Sequence, residues 1–244
     1  MTKKKKSKIL VIIPARAGSK RISGKNTKLF VGKPLIARTI LQAKRVSFVD
    51  RIIVDTDSPK IAAISKRYGA EVPYLRPKHL ATDKAQVTDA IIHLLGRLQK
   101  EEKYKPDYVI ILQTTSPLRE VTDIERVWQM MKKGGADTVL TVCPTHPQLY
   151  YLDRNGYIVS ANRRRVDSTN IQTWPPAYIL NGCFVYIIKT DALLREHAVV
   201  TKKTKAIVCD KWRSVDLDGP EDWVLAEHLF RDKKNIAISL KKFK

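Results

Sequence analysis

The stretch Ile9-Leu10-Val11-Ile12-Ile13 constrains this chain more than any other. Five consecutive apolar residues, mostly β-branched, read as a strand covered on both faces, as in the middle of a parallel sheet. Pro14 ends it, since proline cannot donate to a sheet ladder. A loop of small residues follows, Ala15, Ala17, Gly18, Ser19 and Gly24, and it carries the cations Arg16, Lys20, Arg21 and Lys25. Small side chains let backbone N–H groups approach a ligand closely. Arg and Lys converging beyond the carboxyl end of a parallel strand suit a phosphate chain. The loop has neither the Gly and Gly-Lys-Ser/Thr spacing of a P-loop nor a Gly-x-Gly-x-x-Gly opening a helix. P-loop kinases and Rossmann dehydrogenases are thereby set aside.

The alternation continues along the chain. Apolar residues Ile36, Ile40 and Ala43 predict a helix over about 34–45, and Arg51–Asp55 a second buried strand. Ser58-Pro59 starts another helix that Gly69 stops. Val87, Ile91, Leu94, Leu95 and Leu98 mark a long amphipathic helix. Tyr108–Leu112 is the third strong strand and runs into the polar loop Gln113-Thr114-Thr115-Ser116, which should face the first loop across a site. A helix over Val121–Met131 and a strand over Asp137–Cys143 follow. This is a doubly wound α/β fold with a mostly parallel, Rossmann-like sheet. Between 145 and 176 the pattern changes: Tyr150-Tyr151-Leu152, a turn at Asp153–Gly156 and Tyr157-Ile158-Val159 read as an inserted β-hairpin. Cys183–Ile188 resumes a buried strand, and Trp223–Phe230 forms the last helix.

At 244 residues the chain accommodates one domain, expected over 9–230, between a disordered basic tail at 1–8 and a second basic tail at 231–244. The formal charge is +22, of which the two tails supply about +10. The remainder forms a field that concentrates anionic substrates. Nucleic-acid binding is the competing use of such charge, but no RNP, helix-turn-helix or zinc-finger pattern supports it. No apolar run approaches a membrane span and no signal-peptide pattern follows the N-terminus, so a cytoplasmic location is expected. Cys143, Cys183 and Cys209 are too scattered for a disulfide framework or a zinc site. Arg163-Arg164-Arg165 is a solvated run or an anion contact.

Asp216 and Asp218, two apart at a strand end, point to one side and suit a shared hard cation such as Mg²⁺. Turn and N-cap roles before the last helix are the bland alternative. Asp55-Thr56-Asp57 has the spacing of the metal-binding pair of nucleotide-sugar glycosyltransferases. That class leaves the cationic first loop unexplained, and Asp57 is expected to serve the helix after Ser58.

The pattern Pro-Ala-Arg-x-Gly-Ser-Lys-Arg followed by Gly-Lys-Asn resembles the signature of the cytidylyltransferases that activate sialic acid and related nonulosonic acids. Arg76–Asp83, Leu112–Arg119, Tyr178–Gly182 and Val215–Asp222 resemble further motif regions in the same order, covering nearly all of 8–230. The resemblance implies a nucleotide-diphospho-sugar transferase type of sheet. It also implies a Mg²⁺-dependent reaction in which CTP and a sugar acid give a CMP-sugar and pyrophosphate. A homodimer built through the inserted hairpin goes with it. The residues expected at the nucleotide are Ala15, Arg16, Ala17, Gly18, Ser19, Lys20, Lys25 and Asn26, with Arg76 and Thr82 carried over. Gln113, Tyr178 and Asn181 are expected at the sugar. Catalysis falls to Arg16, Lys20, Asp216 and Asp218, the last two as metal ligands. The run Thr169–Tyr178 lacks the Arg-Arg-Gln-like segment common in sialic-acid enzymes. N-acetylneuraminate leads as acceptor, with legionaminate, pseudaminate or Kdo as alternatives.

Overall fold

The computed structural model describes residues 6–161, 174–182 and 184–243. Lys3–Lys5, Arg163–Arg165, Thr169–Thr173 and Cys183 lie outside them. The apolar run becomes β1 (Ile9–Pro14), with Leu10 through Ile13 fully buried. It pairs in parallel with β4 (Arg51–Asp55) on one side and with β5 (Tyr108–Ile111) on the other. The sheet continues through β10 (Tyr186–Lys189) and β6 (Thr138–Thr145) to β11 (Thr204–Val208). β9 (Ala177–Leu180) also pairs with β6.

β10 runs antiparallel to both β5 and β6, and β9 antiparallel to β6. The other five strands share one direction, so the sheet is mostly parallel as expected.

Residue alternation along β1 assigns the two faces. Ile9, Val11 and Ile13 pack in one core with α1 (Leu35–Lys44), α2 (Pro59–Arg67) and α4 (Val121–Lys132). Leu10 and Ile12 pack in the other with α3 (Val87–Glu102) and α5 (Thr190–Glu196). Helices on both faces remove the Ile9–Ile13 side chains from water, which is why the run is apolar without interruption.

A third, smaller cluster carries the geometry of the site. Phe30 in β2 (Leu29–Phe30), which pairs with β3 (Lys33–Pro34), packs edge-on against Trp223 and Phe230 at ring-centroid distances of 5.4 and 5.5 Å. Ile22 and Leu217 complete it. One apolar contact therefore holds the first loop, the Asp216–Asp218 segment and the last helix together.

That helix, α6, runs Pro220–Lys241, well past the Phe230 end expected from the sequence. Most of the supposed 231–244 tail is helical because it holds good helix formers and no Gly or Pro. Arg231 pairs with Glu227 at 3.4 Å and Lys233 with Glu120 at 3.6 Å. At the other end, Lys6 pairs with Asp50 at 3.0 Å and the Lys8 N–H donates to Asp107 at 2.7 Å. The described part of the N-terminal tail is thus tied to the domain.

The inserted hairpin forms as β7 (Tyr150–Leu152) and β8 (Ile158–Ser160). Asp153 Oδ1 accepts the Asn155 and Tyr157 N–H groups at 2.8 and 2.9 Å, fixing the turn, and Gly156 supplies its positive φ of 85°. Its strands expose Tyr151, Leu152 and Ile158 by 68–73 %. Among the described residues no helix is long and apolar enough to cross a membrane.

Phe30→Ala removes the centre of the third cluster and is expected to cost about 3–5 kcal/mol in denaturant unfolding. Because Leu217 shares the cluster, the folded fraction should also bind CTP more weakly. Unchanged stability would show that the cluster is not holding the loops.

Candidate active site

Beyond the carboxyl ends of β1 and β5 opens a cleft of about 490 Å³. Arg16, Gly18, Ser19, Lys20, Lys25 and Asn26 line one side, and Gln113, Thr114, Thr115 and Asp218 the other. The two polar loops do face each other.

The first loop is pinned at three points. The Ala15 N–H donates to the Asp55 carbonyl at 2.9 Å, and the Ala17 N–H to Asp57 Oδ1 at 2.8 Å. Asn26, only 6 % exposed, donates to the Arg16 carbonyl at 3.1 Å and accepts the Thr114 hydroxyl at 2.7 Å. Asn26 is therefore the cross-link between the two loops as well as part of the cleft wall. Asp57, expected beside the N-terminus of the next helix, also holds the first loop, and the N-cap of that helix is Ser58, whose hydroxyl accepts the Ile61 N–H at 3.3 Å.

Arg16 and Lys20 both reach Asp83, at 2.7 and 2.5 Å, and hold its carboxyl below the usual carboxylate range, Lys20 first and Arg16 second. Arg21 pairs with Asp218 at 3.2 Å. These pairs are solvent-exposed, so each is worth little, and phosphate oxygens can take the carboxylates' place at small cost. Lys25 donates to the Leu217 carbonyl at 2.7 Å; burial pushes its pKa down, and nearby Asp216 and Asp218 oppose that shift.

Two expected nucleotide contacts stand differently. Arg76 reaches the cleft edge, yet its guanidinium is buried against Asp55 at 2.7 Å, both side chains being 4 % exposed. Breaking such a pair costs about 3–5 kcal/mol, so Arg76 holds the floor of the cleft. It also leaves Asp55 unavailable as half of an Asp-x-Asp metal pair. Thr82 is exposed and does not line the cleft.

Of the expected sugar contacts, Gln113 lines the cleft. Tyr178 stands half-exposed on β9, outside it. Asn181 is buried, accepting the Thr141 hydroxyl at 3.0 Å and donating to Ser214 at 3.1 Å, and so supports the site from behind.

Asp216 is the most unusual group. Its Oδ1 is buried with no hydrogen-bond partner among the described residues. Burial raises its pKa, opposed by a hydrogen bond from Thr115 and by Lys25. Gly182 makes room for it: with φ at 64°, a Cβ there would sit 2.3 Å from Asp216 Cγ. An orphaned carboxylate oxygen beside a second aspartate suits a hard cation completed by phosphate oxygens. No three His, Cys, Asp or Glu side chains among the described residues could hold a metal unaided.

The match to known proteins agrees with this geometry. The family model described as cytidylyltransferase matches residues 10–213. The chain belongs to the cytidylyltransferase family. It is 38% identical over 226 residues to a CMP-N,N'-diacetyllegionaminic acid synthase of Legionella pneumophila, covering 91% of this chain and 96% of that one. It is 31% identical over 241 residues to an N-acylneuraminate cytidylyltransferase of Escherichia coli, covering 96% of this chain and 55% of the longer relative. A CMP:2-keto-3-deoxy-manno-octonic acid synthetase complexed with CTP shares the fold, with a TM-score of 0.68 at 18% identity over 93% of this chain and all of that one. As a cytidylyltransferase the chain takes CTP.

The raised pKa of Asp216 has a measurable consequence. In the folded protein the protonated acid is favoured, so its contribution to stability is fully present below the ordinary value of 3.8 and is lost as pH rises through the higher folded value. Asp216→Asn, which is never charged, should therefore melt at or above the wild-type temperature at pH 7, and this advantage should vanish below pH about 4. The same variant should lose at least about 100-fold in kcat. A variant that melts lower at neutral pH would show the carboxylate to be satisfied in the fold.

Proposed function

We propose that this chain transfers the CMP group of CTP to the anomeric hydroxyl of a nonulosonic acid, with Mg²⁺ held by Asp216 and Asp218. The observation that carries the reading is one cleft lined by Arg16, Lys20, Lys25 and Asp218, with an Asp216 Oδ1 beside it that has no partner among the described residues, in a cytidylyltransferase chain. The sugar oxygen forms a bond to the α-phosphorus, the bond from that phosphorus to the β-phosphate oxygen breaks, and its electron pair leaves with pyrophosphate. The hydroxyl proton passes to solvent.

Positioning and charge neutralisation do most of such catalysis. Arg16 forks onto phosphate oxygens, while Lys20 and Lys25 act as point charges. Asn26 and the Ala15–Ser19 backbone hold the loop that reads the cytosine. Gln113 meets the acceptor. Bound Mg²⁺ would offset charge on the triphosphate and the leaving group.

The greater identity to the diacetyllegionaminic acid synthase supports that sugar ahead of N-acetylneuraminate. The exposed apolar hairpin supports a homodimer, because a two-stranded hairpin is marginal alone and so large an apolar surface calls for a partner.

Pyrophosphate release should require CTP, Mg²⁺ and the sugar acid together, and EDTA should abolish it. Release with any one of them omitted, or turnover of a nucleotide-sugar in place of CTP, contradicts the proposal. Tyr151→Asp with Ile158→Asp should turn a dimer into a monomer by light scattering at micromolar protein, and an unchanged mass would place the interface elsewhere.

A further inference from the structure

A second cavity of about 390 Å³ adjoins the nucleotide cleft. The two share Val87 and Gln113, so a molecule in one touches the same residues as a molecule in the other. Asp216 lines the second cavity and Asp218 the first, so the two aspartates stand on either side of the junction.

Its walls differ in chemistry from those of the first. Val87, Ile111, Leu180, Val199 and the ring of Tyr186 supply apolar surface, while Gln113, Asp216 and the Tyr186 hydroxyl are the polar side-chain groups of its lining. Leu180 is held in place by pairing with Val142 across β9 and β6, yet its side chain is 49 % exposed. Val87, the first residue of α3, is 37 % exposed. Val199 packs from the other side against the α3 and α5 core. Apolar surface open at the rim of a reaction cleft becomes favourable only when a ligand covers it.

A sugar acid lying against Val87, Leu180 and Val199 meets side chains that cannot hydrogen-bond. Each hydroxyl pressed against Leu180 or Val199 gives up water without a replacement partner. The methyl carbons of acetamido groups, or of a deoxygenated chain end, gain contact on the same surface. We propose that Val87, Leu180 and Val199 form a specificity wall selecting a deoxy sugar acid rich in acetamido and methyl groups over its polyhydroxylated counterpart. This rests on the cytidylyl-transfer reading and adds which part of the acceptor the enzyme reads. Gln113 takes the polar edge of the same sugar, leaving the wall to discriminate by what it cannot bond.

The test compares kcat/KM for N,N'-diacetyllegionaminic acid, which bears two acetamido groups and a terminal methyl, with that for N-acetylneuraminic acid, using the full chain, CTP and Mg²⁺. The wild type is expected to prefer the former at least about tenfold, the effect of a methyl or two in an apolar pocket. Leu180→Gln and Val199→Thr should each reduce that preference about three- to tenfold by raising KM for the diacetyl sugar, with KM for CTP unchanged. Val199→Thr nearly conserves shape, so it stays informative if Leu180→Gln fails to fold. Equal kcat/KM for both acids in the wild type, or a preference that neither folded variant moves, overturns the wall while leaving cytidylyl transfer standing. Pyrophosphate release with neither acid contradicts the reaction itself, and the wall falls with it.

Discussion

The burial of β1 on both faces is the constraint from which the rest of the structure follows. Leu10, Val11, Ile12 and Ile13 are wholly removed from water, so the strand can lie only between β4 and β5 with helices above and below. Its end then fixes where the chain must leave the sheet. The loop after Pro14 has to emerge at the carboxyl edge, beside the loop that leaves β5. Asn26 joins the two through the Arg16 carbonyl and the Thr114 hydroxyl. Beneath them the buried Arg76–Asp55 pair closes the floor. A rigid apolar strand thus places a set of flexible cations to within a hydrogen bond.

Charge is distributed across the cleft so that it can be exchanged. Arg16 and Lys20 share Asp83, and Arg21 leans on Asp218, all at the surface where such pairs contribute little. A triphosphate can therefore replace carboxylates without a large penalty, drawn in by a chain of net charge +22. Asp216 is the opposite case. Gly182 lacks the side chain that would exclude it, and the Asp216 Oδ1 has no hydrogen-bond partner among the described residues. A buried group held unsatisfied costs stability, and such a cost is retained where function needs the group.

Much of this was legible in the sequence because it depends on local pattern. The uninterrupted β-branched run and the small residues around Arg16 and Lys20 each encode their own placement, whereas Asp216 and Asp218, expected at a strand end, lie on irregular chain, one lining each cavity. What was hidden depends on long-range pairing. Asp57 reads as a partner of its own helix, and Asp83 only as the end of a motif region, until the fold brings them to Ala17 N–H and to Arg16 with Lys20, respectively. Arg76 reads as a nucleotide contact, and only the fold shows that its guanidinium, at the edge of the cleft, is also buried against Asp55. The reversed direction of β10 leaves no mark on its composition, since a strand buried between two neighbours is apolar whichever way it runs. The length of α6 was masked by its lysines, which read as a solvated tail although they sit on a continuous helix.

The central claim is that the acceptor's own oxygen attacks the α-phosphorus of CTP within the cleft between the two loops. A sugar acid carrying ¹⁸O in its anomeric hydroxyl, freshly prepared and turned over with CTP, tests it most directly. The account predicts that the label is retained in the bridge between sugar and phosphorus of the CMP-sugar, read by mass spectrometry and the ³¹P isotope shift, with none in pyrophosphate. A CMP-sugar whose bridging oxygen is unlabelled would contradict it, because the bond would then have been made at carbon rather than at phosphorus.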